Sequence, residues 1–566
     1  MIIYILLGVF SVAFIVVARH GIYPKPYPGI PYNKESANRL TGDIPDLVPI
    51  IQAQNEFTNA VFTITTQKLG QPIAQLLFPA VRTPLIILED PRAIEDIVLR
   101  RNKEFDKAPM AIDTLSPMFP HATTTQYTTP ELRAQKRLWV DVMSSEFLHK
   151  VAAPNIHKAT LELLDLWRLK GSTLYKNQPF ATIEDFQNAA LDAIWVAIVG
   201  DEPGMTRYEL TKLKCQIVGN SDYRNEPLPS GAFLKEEVDY IGRTVARNAN
   251  TPVPKWTQMM EMLTPRYRKF RRTISREIGR VMEKSVNRFQ RLELGQLEAE
   301  EFDTCMMDLV LRRQVLEAKK ARRPLTDPTK DQSMLDEMFM MLVAGYDSTT
   351  NALAWFVRYM ESYPTTQDRL RKALKDQFPN NTTPSVQEIL KADIPYLDAA
   401  CEEGFRLAGV AKGNLRQACV DTEILGCRIP KGAQILMNFH VNHTPAPVDE
   451  SRYAAGTKAA VAKHGDGLRS SAGKNLGAFE PARWLVKDEK TGKEVFNPHA
   501  LPSLAFGGGY RGCAGRKLAT MEFRIVVTLL ILDLEFLELP PQFKSLKASE
   551  QVFRAPDMPY VRLREL

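Results

Sequence analysis

Phe506-Gly507-Gly508-Gly509-Tyr510-Arg511-Gly512-Cys513-Ala514-Gly515 is the stretch on which the reading of this chain turns. Its glycines free the backbone to take positive φ and to approach the one sulfur among them closely. A helix-forming run to Leu532 follows, which sets Cys513 just before a helix N-terminus. There the helix dipole and unpaired N–H groups favour a thiolate over a thiol, and Arg511 adds positive charge. Other readings compete. Gly507-x-Gly509-x-x-Gly512 has the spacing of a dinucleotide-binding turn, with Asp533 about twenty residues on. No further strand–helix–strand units follow to build its sheet, and it leaves Arg511 and Cys513 without a role. A phosphate-binding P-loop fails for want of a Gly-Lys-Ser/Thr. A buried structural cysteine at a glycine-rich helix entry is the plain alternative.

Outward from this loop, the chain has 566 residues, 25% charged and 44% hydrophobic, with its 38 prolines spread out. No low-complexity linker divides it, so one large catalytic domain with a short appendage is expected rather than the several domains that length alone suggests. The net charge of +7 comes without a long basic run or basic-aromatic stripe, which argues against nucleic acid. It suits a basic patch facing an acidic protein or an anionic membrane. The six cysteines, at 215, 305, 401, 419, 427 and 513, contain no CxxC pair and no dense framework. A structural zinc site and a disulfide scaffold are both disfavoured, and a reducing compartment is implied.

Residues 2–18, IIYILLGVFSVAFIVVA, carry no charge. The run is at the short end of the roughly 17–25 residues that cross a bilayer. A signal peptide would want positive charge before the run and a small-residue cleavage site after it. Here Arg19 and Lys25 come after it, so an uncleaved anchor over residues 1–20 is expected, with the bulk of the chain cytosolic. Tyr23 to Pro31 has four prolines in nine residues and reads as a stiff hinge over 21–35. The catalytic domain is expected over 36–566.

From about Asp90 to Glu300 apolar residues recur at three and four, as in 161–167 and 189–195, which is the mark of helices. Residues 107–131, rich in Pro, Thr and Met, read as a loop. A central buried helix is expected from about Ser333 to Tyr363, with Ser333 and Asp336 as its capping pair and Pro364 as its stop. Strand-like runs occur at 435–439 and 534–539. The Ala-, Gly-, Lys- and Ser-rich segment 445–477 reads as an exposed loop. The fold class is mainly α with small β-sheets.

The fixed positions of the glycine loop, Phe506, Gly509, Arg511, Cys513 and Gly515, are similar throughout to the haem-binding signature of the cytochrome P450 family. Glu403-x-x-Arg406 resembles the family's E-x-x-R. Phe479-Glu-Pro-Ala-Arg483-Trp484 resembles its meander. Ala344-Gly345-Tyr346-Asp347-Ser348-Thr349 resembles its oxygen-activating A-G-x-D/E-T. The general look is that of a microsomal-type, fungal, secondary-metabolism member. Two departures stand out: Ser348 replaces the usual Thr, and 408–414 replaces the family's Pro-rich turn.

This resemblance implies the cytochrome P450 fold behind an N-terminal transmembrane helix. It implies haem b with Cys513 as axial ligand to iron, and Ala344 and Gly345 beside the oxygen site. Asp347 with Ser348 or Thr349 would deliver protons. Arg137, Arg416 and Arg511 would pair with haem propionates, and Glu403, Arg406 and Arg483 would form a buried network. By the same resemblance the activity is monooxygenation, oxidative coupling or desaturation of a bulky apolar or phenolic intermediate. Electrons would come from NADPH-cytochrome P450 reductase, with cytochrome b5 as a second donor. The location would be the endoplasmic reticulum membrane, single-pass. An isomerase or dehydratase on the same fold, needing no reductase, is the alternative, hinted at by Ser348. A haem carrier without turnover is a further one.

Overall fold

Gln332–Ser362 forms one α-helix of 31 residues, about 46 Å long at the usual rise. The preceding residue, Asp331, is extended, and its carboxylate accepts the Ser333 N–H at 3.0 Å. The cap is therefore Asp331 and not the expected Ser333–Asp336 pair. Asp336 is buried and accepts the His121 N–H at 3.1 Å, while Glu337 accepts both the N–H and the hydroxyl of Thr123 at 2.6 Å. These two acids satisfy backbone donors in 107–131, which is more ordered than its composition suggests. It holds a short helix at Pro109–Asp113 and a 3-10 turn at Thr123–Thr125. Aromatic packing completes the contact: Phe339 stacks on Phe119 at 5.3 Å and meets Phe270 edge-on at 5.2 Å. Burial of each such ring stabilises the fold by roughly 1.5–3 kcal/mol.

This computed structural model describes residues 23–566 except 80–81, 177, 220–226, 250, 252, 297–302, 325–326, 380–381 and 472. The expected membrane helix at 2–18 lies outside the described residues. Among those described, no helix is long and apolar enough to cross a membrane. The helices that position the site are α1 (Pro91–Arg100), α2 (Pro130–Leu138), α3 (Ala153–Leu169), α4 (Ile183–Val199), α5 (Ser230–Ala249), α6 (Gln332–Ser362), α7 (Pro395–Ala408), α8 (Ala455–His464) and α9 (Arg516–Asp533). Beside them lies a five-stranded sheet of β1 (Ile73–Leu76), β2 (Leu85–Leu88), β3 (Phe105–Lys107), β4 (Gly413–Ala418) and β5 (Gln434–Asn438), in the order β1-β2-β5-β4-β3. β2 and β5 run parallel and the other pairs antiparallel. β1 and β2 are buried along their whole length, as their apolar runs require. Buried Gln75 of β1 accepts the Tyr27 N–H at 2.8 Å and donates to Tyr27 and Ile30 carbonyls, which fastens the Pro-rich segment to the sheet. The remaining described sheets are two-stranded, so the fold is mainly helical with small sheets.

Segment 445–477 is not a simple loop, because it contains α8 and a helical turn at Gly467–Ser470. It is moored to α1: Tyr453 donates to Asp90 at 2.8 Å, and Arg92 pairs with Asp466 at 2.6 Å. Composition hides this, since small residues such as Gly456, pressed against Asp96, permit close packing without adding hydrophobic periodicity.

The expected buried network is present and larger than three residues. Glu403 on α7 accepts Arg406 on both oxygens (2.7 and 2.8 Å), Arg483 at 2.9 Å, the Trp484 indole at 2.8 Å and the Glu480 N–H at 3.0 Å. Arg406 also donates to the carbonyls of Val441 and Leu476. Burial raises the Glu403 pKa, but Arg406 and Arg483 outweigh it and hold the carboxyl below its ordinary value. A group so depressed stabilises the fold above its unfolded pKa and loses that contribution as pH falls through its folded one. Glu403→Gln is expected to cost about 3–5 kcal/mol at neutral pH, since it strands two buried guanidinium groups. Urea midpoints of the two proteins should converge as pH drops below the ordinary glutamate range. A constant gap down to low pH would contradict this assignment.

Candidate active site

Cys513 lies between a 3-10 turn (Gly509–Arg511) and the first turn of α9. Its N–H donates to the Phe506 carbonyl at 2.8 Å, which closes the loop. Gly507 and Gly509 have φ of 61°. At Gly509 a side chain would also strike the Val98 carbonyl, so the loop needs glycine where α1 presses on it, more than for approach to the sulfur. The thiol is exposed at its surface. Desolvation pushes its pKa up, opposed by the Gly515 N–H and by Arg516. Phe506 packs edge-on to Phe405 at 4.9 Å and fixes the loop to α7.

Four cations converge where the loop meets the sheet. β3 and β4 pair in a register that sets Lys107 directly opposite Arg416. Like charges across a ladder repel. Arg416 is buried and donates to Asn414 Oδ1 at 2.6 Å, but pairs with no acid among the described residues. Arg511 pairs with Asp106 at 3.1 Å and donates to the Gln126 carbonyl at 2.8 Å. Lys136 on α2 donates to the Tyr510 carbonyl at 2.7 Å and lies over that ring. Burial, then Arg511, Arg416 and Lys136, push Lys107 down to about 8. Burial and then Arg511 bring Arg416 down to about 10. Asp106 is the one acid in contact with this group among the described residues, so the set fits a ligand carrying carboxylates. Arg137 is not part of it: that side chain is exposed and pairs with no acid among the described residues. Its neighbour Lys136 is the α2 side chain that reaches the cysteine loop.

Mid-helix, α6 is buried on most sides, yet Ala344 is exposed and Ser348 partly so. Ser348 Oγ donates back to the Ala344 carbonyl at 2.6 Å. Gly345 faces elsewhere. A Cβ there would stand 2.9 Å from the side chain of Ile194, so glycine at this position lets α4 pack closely. Burial and then Asp239 push Asp347 up to about 6, against a hydrogen bond from Asn351 at 3.2 Å. Tyr346 donates to Asp239 of α5 at 3.1 Å, which ties α5 to this turn. Thr349 is buried and donates to Glu522 of α9 at 3.3 Å, on a different side of the helix from Ser348. Asp239, Glu522 and Lys107 are functional or structural partners that the sequence does not mark. No local pattern marks them, because each acts across elements far apart in the chain.

The sequence model of the cytochrome P450 family matches residues 47–446 and 477–561. The interruption coincides with the segment that carries α8. The cytochrome P450 monooxygenase TRI13 of Fusarium sporotrichioides is 30% identical, covering 98% of this chain and 99% of that protein. The cytochrome P450 monooxygenase xilC of Penicillium rubens is 31% identical, covering 97% and 94%. A crystal structure of a cytochrome P450 (CYP102L1) superposes with a TM-score of 0.66 at 18% identity, covering 96% of this chain and all of that one, which supports the fold. With an open cysteine at the expected signature position and matching relatives along nearly its whole length, this chain belongs to the cytochrome P450 family and is a cytochrome P450 monooxygenase.

Proposed function

We propose that this enzyme binds haem b with Cys513 as the axial ligand and oxidises a bulky apolar or phenolic biosynthetic intermediate, with electrons from NADPH-cytochrome P450 reductase and cytochrome b5 as a second donor. The observation that carries the reading is the group of Lys107, Lys136, Arg416 and Arg511 beside the cysteine loop, four cations with Asp106 as their one ion-pair partner among the described residues. Those side chains would hold the two propionates, while the Gly515 N–H and Arg516 favour the thiolate of Cys513. Haem held by a thiolate supplies electron density for reductive cleavage of dioxygen. The chain supplies position and protons. Asp347, poised near neutrality, would pass protons taken from the Asp239–Tyr346 side, and Ser348 would present a hydroxyl on the open face. Membrane attachment at the endoplasmic reticulum through residues 2–18, with 21–35 as the hinge, belongs to the same proposal. So does a place in secondary metabolism, in line with the fungal relatives.

One spectrum and three variants check it. The dithionite-reduced protein with carbon monoxide should show the long-wavelength band of thiolate-ligated haem. Cys513→Ala should abolish both the band and turnover; full activity in that variant would remove Cys513 from the role. Arg416→Met should lower haem retention by about 10–100-fold while raising the melting temperature of the haem-free protein, because it deletes one of the mutually repelling cations. Asp347→Asn should slow product formation by about a hundredfold or more and erase the limb of the pH–rate profile near 6. An unchanged limb would assign it to another group.

A further inference from the structure

Behind the open face of α6 lies a carboxyl group that the mechanism above does not use. Glu522 stands on α9, nine residues after Cys513, and is buried. Its hydrogen bond is to Thr349 Oγ1, at 3.3 Å. The packed helices present to it Ile156, Thr160 and Leu163 from α3, Phe186 and Ala190 from α4, and Leu353 from α6, none of them charged. The adjoining gap leaves about 10 Å³ for a water's centre, room for one molecule. Among the described residues an ionised carboxylate there would have no cation and a single hydroxyl for a partner, which is a costly burial. The acid form needs less, and burial accordingly pushes the group up to about 8.

Thr349 directly follows Ser348, and α9 directly follows the Cys513 loop. Two turns further along α6, Phe356 meets Phe523 of α9 edge-on at 5.3 Å. Thr349–Glu522 is thus the polar bond between these helices nearest the site. We propose that Glu522 is a positioning residue: a neutral carboxylic acid whose bond to Thr349 ties the Ala344–Thr349 turn to the helix that carries the cysteine loop. This rests on the reading of that turn as the oxygen-activating one. The tie sets the spacing between the proton-delivering side chains and the axial ligand. Its loss should spill reducing equivalents into peroxide without disturbing the ligand.

Because the folded pKa is raised, the unfolded chain releases this proton at lower pH than the fold does. Stability on this account falls as pH rises from the ordinary glutamate range to about 8, and is flat beyond. Glu522→Gln keeps a hydrogen-bonding amide without the titration, and Glu522→Leu keeps the volume without the bond. The holoenzyme, reconstituted with reductase and NADPH under air, would be assayed for hydrogen peroxide released per NADPH oxidised. Glu522→Leu should keep the reduced carbon monoxide band and yet release several-fold more peroxide, with Glu522→Gln close to the parent. In parallel, the melting temperature of Glu522→Gln should fall less than the parent's across that pH window. Should Glu522→Leu fail to fold, Thr349→Val cuts the same bond from the other side, with the same expectation. Parental peroxide yield in a folded, bond-cutting variant would overturn the positioning role. A parental melting profile in Glu522→Gln would overturn the neutral acid. Absence of haem from the parent would instead sink the oxygen-activating reading and leave the melting comparison intact.

Discussion

One buried carboxylate organises the part of the chain on which the cysteine loop depends. Glu403 accepts five hydrogen bonds, three of them from the 480–484 segment and two from the side chain of Arg406. A charge this deep is tolerable only because each oxygen is fully engaged. Arg406 extends the same order to the Val441 and Leu476 carbonyls, which flank the α8 segment. A single guanidinium therefore bonds the chain shortly before the stretch that the family match skips, 447–476, and again at its last residue. With its ends fixed by the network, an added segment costs little more than its own loop closure. Its mooring to α1 then lets it fold as a helix without disturbing the core.

The site itself is electrostatically lopsided. On the sheet side, Lys107, Lys136, Arg416 and Arg511 repel one another with Asp106 as their acid. On the α6 side, Asp347, Asp239 and Glu522 are carboxyls whose pKa burial raises. Neither side is arranged for the stability of the bare chain. Perturbed ionisable groups gathered in this way mark a functional site rather than a structural one.

The α6 turn shows how one helix divides a motif among separate tasks. Side chains at consecutive positions leave a helix about 100° apart, so neighbours in the sequence face different partners. Ala344 and Ser348 share the open face, Gly345 receives Ile194 of α4, Tyr346 reaches α5, and Thr349 meets α9. A string that reads as a single proton relay is in three dimensions a junction of four helices.

Local chemistry was legible from the residues alone. Periodicity marked the long helix to within a residue or two, and the glycine loop with its cysteine carried the signature by which the family is recognised. Charged pairs three residues apart, such as Glu403 and Arg406, were visible because a helix brings them together. The tertiary structure decided what depends on elements distant in the chain. It put Lys107 across from Arg416 by strand register and brought Lys136 to the Tyr510 carbonyl by the roll of α2. It turned Thr349 toward Glu522 and folded 445–477 onto α1. Spacing along a chain reports which side chains share a face of one element. Only packing determines what that face meets, and here the burial and pairing that tune the ionisable groups arise almost wholly from those meetings.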